Sequence, residues 1–515
     1  KEMAIRLAIG AGRGRIVSQL LIEMLALSVL GGALGLLLAF WADKALMSLY
    51  LPADSARLNI STTPDLRILV FTFGVSALTA LVFGLVPALQ TTKPNVGKIL
   101  KDEASAVVGS GKRGLRKSLV VAQVALSLLL LIGAGLFLRS LNNLSRLGPG
   151  FPAERLIGFN IDPPLNGYTP ERTKLAYRDL ADNLKSLPGV QSVGLAGVRI
   201  LENDEWDSSM TVEGYNPDNP ESRAEPYMNQ ISPNYFATLG VPFLMGRDFT
   251  PADNKEVKHG PEADDWSPTV IIINESFAKK YFAGRNPLGL HLGFGTDPGT
   301  PTDMEVIGVV KDIKYTNLRD EIPPQAYVPY MPVRFVGGMT VYVRTAADPG
   351  PLMNAIRAKV RDFDANLPLY DMRTTDEQIA NSLSSQRMIA SLSTVFGFLA
   401  TLLAAVGLYG LMAYNVVQRT REIGIRMALG AAQTDVVWMV MRDVLVLVAV
   451  GVGVGVPASL GLARIVQSQL YGLSAHDPST LVLATAGLAL VACLAGYLPA
   501  WRASRLDPMA ALRYE

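Results

Sequence analysis

The sequence predicts an α-helical membrane protein of six transmembrane helices carrying one mixed α+β domain outside the cytoplasm. Three observations predict it. Hydrophobic residues make up 49% of the 515 and charged residues 18%, where soluble chains carry about 25% charged, and the mean hydropathy is positive at +0.26. Six charge-free stretches approach the ~20 residues that a helix needs to cross a bilayer. Between the third and fourth of them lies a long segment in which strand and amphipathic-helix patterns alternate.

The six spans are Met24 to Ala42, Ile68 to Thr92, Ser118 to Leu138, one within Met388 to Gln418, Val444 to Ala463, and Pro478 to Trp501. They are rich in Leu, Val, Ala and Gly and lack the polar stripe of a soluble helix. Lys and Arg orient them. Basic residues gather before the first span (Lys1, Arg6, Arg13, Arg15), after the fourth (Arg419, Arg421, Arg426) and in the tail (Arg502, Arg505, Arg513). The connector from Lys93 to Lys117 holds seven more, while Ile465 to Asp477 holds none. Alternation of six spans puts every basic-rich segment on the cytoplasmic side. It divides the chain into residues 1–117 (two spans and a cytoplasmic connector), a span at 118–138, an outer domain at 139–387, and three spans at 388–515.

An internal repeat organises the membrane part. "KEMAIRLAIGA" (Lys1 to Ala11) returns 420 positions later as "REIGIRMALGA" (Arg421 to Ala431). Glu23 then matches Asp443, and Gly31 and Gly35 match Gly451 and Gly455. "GLVPALQ" (Gly84 to Gln90) resembles "GYLPAWR" (Gly496 to Arg502), and each leads to a small amphipathic tail, "PNVGKILK" and "PMAALR". The second unit follows two spans that bracket the outer domain. The repeat therefore carries the expectation that a first pair of spans and a first outer domain precede Lys1.

Within the repeated motif, Glu422 stands four residues before Arg426, the favourable order for a helical ion pair; Glu2 and Arg6 repeat it. Ile423, Met427 and Ala431 fall on one face, and Gly430, like Gly10, suits a helix stop. A short amphipathic helix on the cytoplasmic surface can rest in lipid headgroups or dock another protein. Duplication favours docking, since a two-fold partner needs two contacts.

These residues resemble the FtsX/MacB-like permeases of ABC transporters. The resemblance rests on "REIGIRMALGA", on "LPAWRASRLDPMAALR", on the span "LVVAQVALSLLLLIGAGLFLRSL" and on "INESFAKKYFAGRNPLG" in the outer domain. It covers essentially the whole chain and is closest to the branch in which two four-span halves are fused. The resemblance implies a MacB-like periplasmic domain, an inner-membrane location in a bacterium, and a cytoplasmic ABC ATPase dimer as partner. Glu2, Arg6 and Gly10 with Glu422, Arg426 and Gly430 would contact that ATPase. A periplasmic adaptor or outer-membrane duct is the further partner the family allows. ATP hydrolysis would move the outer domain and drive export or release of a substrate.

The outer domain reads as two βαβ-like units around an insertion. "LIGFNI", a helix within Glu171 to Leu187 with Ala176, Leu180, Leu184 and Leu187 on one stripe, and "QSVGLAGV" form the first. "MTVYVRT", a helix from Pro351 to Asn366, and "PLYDMRT" form the second. Their halves are expected to complete one sheet, with an inserted β-rich lobe from about Leu201 to Met331. In that lobe Phe277 and Tyr281, on the helix after "VIIIN", are expected in the core. "ENDEWD" (Glu202 to Asp207) and "PEADD" (Pro261 to Asp265) lack the spacing of a calcium loop and read as solvated loops.

Several kinds of chemistry are missing from the sequence. "GSGKRG" (Gly109 to Gly114) has Ala106 and Arg113 where a phosphate-binding loop needs Gly and Ser or Thr, and reads as flexible connector. There is no G-x-S-x-G, no H-E-x-x-H, and a single cysteine, Cys493, inside an apolar run. His259, His291 and His476 are scattered. No enzyme activity, cofactor or metal is expected. The connector has few aromatics and suits anionic lipid better than nucleic acid. No ionisable residue falls mid-span, which argues against an ion-coupled carrier. Two other functions remain beside transport: regulating a cell-wall hydrolase outside the cytoplasm, and sensing a peptide.

Overall fold

The computed structural model describes residues 13–50, 65–91, 110–215, 223–258, 266–333, 336–473 and 477–505. The chain forms two compact units, one of residues 1–138 and 385–515 and one of residues 139–384.

The first unit is helical. Its described elements are α1 (Arg13–Tyr50), α2 (Leu66–Thr91), α3 (Ser110–Leu147), α9 (Ser384–Gln418), α10 (Thr420–Ala428), α11 (Gln433–Ile465) and α12 (Pro478–Ser504). Five helices among the described residues are long and apolar enough to cross a membrane: α1, α3, α9, α11 and α12. The expected sixth span falls on α2, a 26-residue helix of which Leu66–Leu81 is an apolar helix among the described residues. α3 starts at Ser110, so residues 110–114 of "GSGKRG" are the first turn of a helix and not connector. With no proline between Ser110 and Leu147, and Lys and Arg among its first residues, the helix runs back from the apolar span into the basic segment despite Gly111 and Gly114.

α3, α9, α11 and α12 share one apolar core that includes Val124, Leu128, Leu408, Val444 and Leu488. Small residues allow close approach, as is usual where lipid gives no hydrophobic drive. Gly397 backs onto the main chain at Leu130, and the Ser127 hydroxyl donates to the Ala400 carbonyl at 2.8 Å. α1 and α2 pack on each other as a hairpin, with Gly32 against Ser76.

The second unit is a mixed α+β domain. Its strands run β1 (Leu156–Ile161), β2 (Val190–Ala196), β3 (Met210–Val212), β4 (Tyr227–Ile231), β5 (Phe243–Gly246), β6 (Glu256–Lys258), β7 (Trp266–Pro268), β8 (Val270–Asn274), β9 (His291–Phe294), β10 (Met304–Val310), β11 (Gln325–Pro329), β12 (Met339–Thr345) and β13 (Leu369–Thr374). Its helices are α4 (Pro170–Lys185), α5 (Tyr235–Leu239), α6 (Glu275–Phe282), α7 (Pro349–Phe363) and α8 (Thr375–Ser382). Eleven strands form one sheet in the order β13-β1-β12-β2-β4-β11-β8-β10-β9-β3, with β5 beside β10.

The two βαβ-like units interleave. β12 lies between β1 and β2, and β1 lies between β12 and β13, all antiparallel. Each unit leaves a gap that the other fills. The insertion does not stand apart from the main sheet: β4 bonds to β2 at Ala196 and Ile231, and all its strands extend the same sheet except β6 and β7, which pair with each other in a two-stranded sheet. β8 and β10 run parallel, with α6 in the crossover, so this half needs the longer connection that parallel pairing demands.

Period-two alternation sends successive side chains to opposite faces. Ile157, Phe159, Val193, Leu195, Val341 and Val343 face one core with Tyr177, Leu180 and Leu184 of α4 and Ile356 and Val360 of α7. Gly158, Gly194 and Tyr342 face the other way. There a Cβ on Gly194 would lie 2.8 Å from the Tyr235 Cα of α5, and Tyr235, Phe236, Tyr327 and Tyr342 form an aromatic cluster. Burial on both faces explains why the strands read as almost continuous apolar runs.

Helix starts follow side-chain caps. Thr169 accepts from Arg172 N, and Asn274 accepts from Phe277 N at 2.9 Å, placing Phe277 and Tyr281 in the core. α7 begins at Pro349, two residues before the expected Pro351, because Asp348 accepts from Gly350 N at 3.1 Å. "ENDEWD" is not a wholly solvated loop. Glu202 bonds Arg199 at 3.3 Å and Arg373 at 3.0 Å, and burial raises its pKa against the pull of both guanidiniums. Trp206 packs on the core. "PEADD" lies outside the described residues, as do the two amphipathic tails.

Candidate functional site

The repeated motif occupies a corner between two long helices. α9 ends at Gln418, Arg419 turns the chain, and α10 runs from Thr420 to Ala428. α10 is anchored by one residue above all: Ile423 is 1% exposed and packs with Val436 of α11 and Ala503 of α12, beside Val416 and Met427. The apolar face expected from Ile423 and Met427 is thus turned to the helix bundle.

The end of α10 is set by Gly430. Its φ is +94°, a region that side-chain-bearing residues rarely enter. Gly430 N donates to the Met427 carbonyl at 3.1 Å and Ala431 N to the Arg426 carbonyl at 3.0 Å, the paired bonds of a Schellman stop. The chain then enters α11, where Asp435 accepts from Ala432 N at 3.1 Å.

Glu422 and Arg426 form the expected pair at 2.7 Å, each half exposed. An exposed pair of this kind adds little stability. Arg426 also reaches Met439 Sδ at 3.7 Å, and Arg419 pairs with Asp443 at 3.3 Å. A groove of about 540 Å³ follows, lined by Arg419, Arg426, Asp435, Trp438, Met439 and Asp443.

Two residues of this surface escaped the sequence reading. Ile425 is 44% exposed and Leu429 is 82% exposed. They stand four apart on the face opposite Ile423, next to the ion pair. The signal was present: Ile5 and Ile9 occupy the same places in the first copy. Apolar residues off the buried stripe thus stand at the same places in both copies.

Other basic residues of this unit are held by aromatic partners. Arg116 lies over Tyr414 at 4.4 Å, Arg505 over Trp501 at 4.1 Å, and Arg502 donates to the Tyr409 hydroxyl at 2.8 Å. The Arg116–Tyr414 and Arg502–Tyr409 contacts join the start of α3 and the end of α12 to the part of α9 that leads into Arg419. Glu2, Arg6 and Gly10 lie outside the described residues. Among the described residues no group of His, Cys, Asp and Glu could hold a metal ion.

The sequence matches two families. Residues 1–96 and 394–508 match the FtsX-like permease C-terminal family, and residues 118–362 match the MacB-like periplasmic core domain. The chain is 26% identical over 308 residues to the macrolide export ATP-binding/permease protein MacB of Acinetobacter baylyi, covering 57% of this chain and 43% of that protein. It therefore spans less than half the length of that relative. It is 25% identical over 413 residues to the uncharacterized ABC transporter permease YknZ of Bacillus subtilis, covering 77% of this chain and 97% of that one. Among solved structures, the periplasmic region of MacB from Actinobacillus actinomycetemcomitans aligns with 44% of this chain and 92% of its own, at 18% identity and a TM-score of 0.28.

Proposed function

This chain belongs to the FtsX/MacB-like permeases of ABC transporters, and on that premise we propose that it transmits force from a separate cytoplasmic ATPase to its outer domain. The observation that carries the proposal is the double-faced character of α10. Ile423 ties it to the helix bundle, while Ile425, Leu429 and the Glu422–Arg426 pair face away. A helix that is packed on one face and sticky on the other is a lever with a handle.

Chain continuity supplies the transmission. α8 of the outer domain ends at Ser382, α9 starts at Ser384, and α9 stops one residue before α10. A continuous 35-residue helix is about 52 Å long, so α9 joins α10 to the start of the outer domain along the chain. The permease itself does no chemistry. Hydrolysis belongs to an ATPase dimer, and the work is export or release of a substrate from a bacterial inner membrane, with residues 139–387 outside the cytoplasm. A relative that uses the same motion to regulate a cell-wall hydrolase would have the same lever; the two differ in what binds the outer domain.

The test is ATPase capture. Glu422→Arg or Arg426→Glu should weaken recovery of the ATPase with the solubilised chain while the outer domain keeps its protease resistance. Undiminished recovery with both variants would remove α10 from the contact.

A further inference from the structure

α11 enters the bilayer beside a groove that holds more arginine than the fold itself uses. The apolar run of α11 begins at Val444. Trp438, Arg442 and Val446 stand four apart on one face and step over about 12 Å, from the water side through the headgroup level to the acyl chains. Trp438 is 62% exposed, and it lines the groove of about 540 Å³ together with Val446, Arg419, Arg426 and Arg442. An exposed tryptophan just outside an apolar span marks the headgroup layer.

The acids of the groove do not use up these guanidiniums, each of which is a fork of several N–H donors. Asp443 takes one bond from Arg419 at 3.3 Å, Glu422 takes one from Arg426 at 2.7 Å, and Asp435 is turned to the Ala432 amide at 3.1 Å. The other arm of Arg426, Nη1, reaches Met439 Sδ at 3.7 Å, and a thioether is a weak acceptor. Arg442 is exposed and has no ionic partner among the described residues. The repeat sharpens the contrast. At the offset of 420, Arg426 and Asp443 have Arg6 and Glu23 as counterparts, whereas Trp438 and Arg442 have Ser18 and Ile22. The corner motif recurs, and the interfacial tryptophan with its arginine belongs to one copy.

We propose that the groove between α10 and α11 binds the headgroup of an anionic phospholipid. Arg442 and the Nη1 arm of Arg426 hold its phosphodiester, the Trp438 indole lies along the glycerol region, and an acyl chain follows Val446. Guanidinium and phosphate match in shape as well as in charge, and a phosphate oxygen replaces the thioether as the acceptor of Arg426 Nη1. A lipid bound there ties α10 to α11 through its phosphate. The site does not rest on the ATPase reading of α10, since Ile425 and Leu429 take no part in it.

The test uses the full chain with the other four tryptophans replaced by phenylalanine, so that Trp438 alone fluoresces. It is reconstituted into vesicles of fixed composition, phosphatidylglycerol as a minority in phosphatidylcholine, with bromine on the acyl chains of one lipid or the other. Surface charge is then the same in both preparations. Molecule for molecule, brominated phosphatidylglycerol should quench Trp438 at least about threefold more than brominated phosphatidylcholine. Arg442→Ile, which installs the residue of the other copy, should bring the two lipids to parity. Quenching by phosphatidylcholine should stay as it was, which shows the helix at the same depth. Equal quenching by the two lipids in the parent chain would overturn the proposal. So would a preference that survives Arg442→Ile; loss of ATPase capture in that variant would then assign the groove to the ATPase. Relief of the preference by inorganic phosphate, but not by sodium chloride of equal ionic strength, would overturn it by making a soluble phosphoryl anion the ligand.

Discussion

Arg199 and Asp371, 172 residues apart, meet inside the outer domain, where Arg199 Nη1 donates to both the carboxylate and the main-chain carbonyl of Asp371 at 3.0 Å. Arg199 is 3% exposed. Its Nε donates to Gln378 of α8 at 3.1 Å and its Nη2 to the Gly158 carbonyl of β1 at 3.4 Å. Gln378 returns a bond to the Ile200 carbonyl, and Arg373 pairs with both Asp371 and Glu202. One guanidinium thus fastens β1, β13 and the helix that leads into α9.

Removing that guanidinium leaves buried acceptors without donors and carboxylates with one cation fewer. Arg199→Met is expected to destabilise the outer domain by about 3–5 kcal/mol. Arg199→Lys should recover only part of this, because an ammonium cannot match the planar fork. Urea titration of the full chain in detergent, with the other four tryptophans replaced by phenylalanine so that Trp206 alone reports, gives the measurement; equal midpoints for the parent and Arg199→Met chains would show the network to be energetically idle.

Leu429→Asp and Ile425→Asp are expected to lower ATPase recovery by about tenfold or more, as truncation of exposed apolar anchors does at interfaces, with the helical content unchanged. Ile423→Asp places a charge in the buried corner with Val436 and Ala503 and should loosen the fold itself. Circular dichroism and capture assays on the three variants separate handle from anchor.

Gly430→Ala forces a Cβ into a backbone at φ +94°. The expected cost is about 1 kcal/mol or somewhat more, confined to the end of α10. Hydrogen exchange should quicken at Gly430 and Ala431, whose amides make the stop, and stay unchanged in the middle of α9.

Acid should act at Asp253. Arg247 grips its carboxylate with bonds of 2.7 and 2.9 Å, and the Thr250 amide and hydroxyl add two more. This pair of donors holds its pKa at about 2, below the usual 3.8. A depressed carboxylate stabilises the fold above its unfolded pKa and loses that contribution as pH falls through the folded value. The contribution should therefore be complete above about pH 4 and decline toward pH 2, at about 1 kcal/mol because Arg247 is half exposed and screened. Asp253→Asn should flatten that part of the pH–stability curve.

How much was legible follows from the range of each interaction. Leu180 and Leu184 were readable as core because helical period lies within a few residues. The same holds for Phe277 and Tyr281, and for the pairing of Glu422 with Arg426. Glu202 was misread because its partners, Arg199 and Arg373, include one 171 residues away. The insertion was misread because a strand's pattern shows that it pairs, not with which neighbour. Ile425 and Leu429 lie off the buried stripe that helical period singles out, and only the fold shows how far they are exposed.

By itself the sequence determined the membrane class, the doubled motif and the local elements of the outer domain, since charge, hydropathy and period are properties of consecutive residues. The tertiary structure decided how the two βαβ units interleave, which face of α10 is turned outward, and that Gly451 and Gly455 are covered while Gly31 and Gly35 meet nothing among the described residues. Identical spacing in the chain met different surroundings in space. Whether a helix face is a core or a docking seat depends on what is packed against it, and a repeated sequence cannot carry that difference.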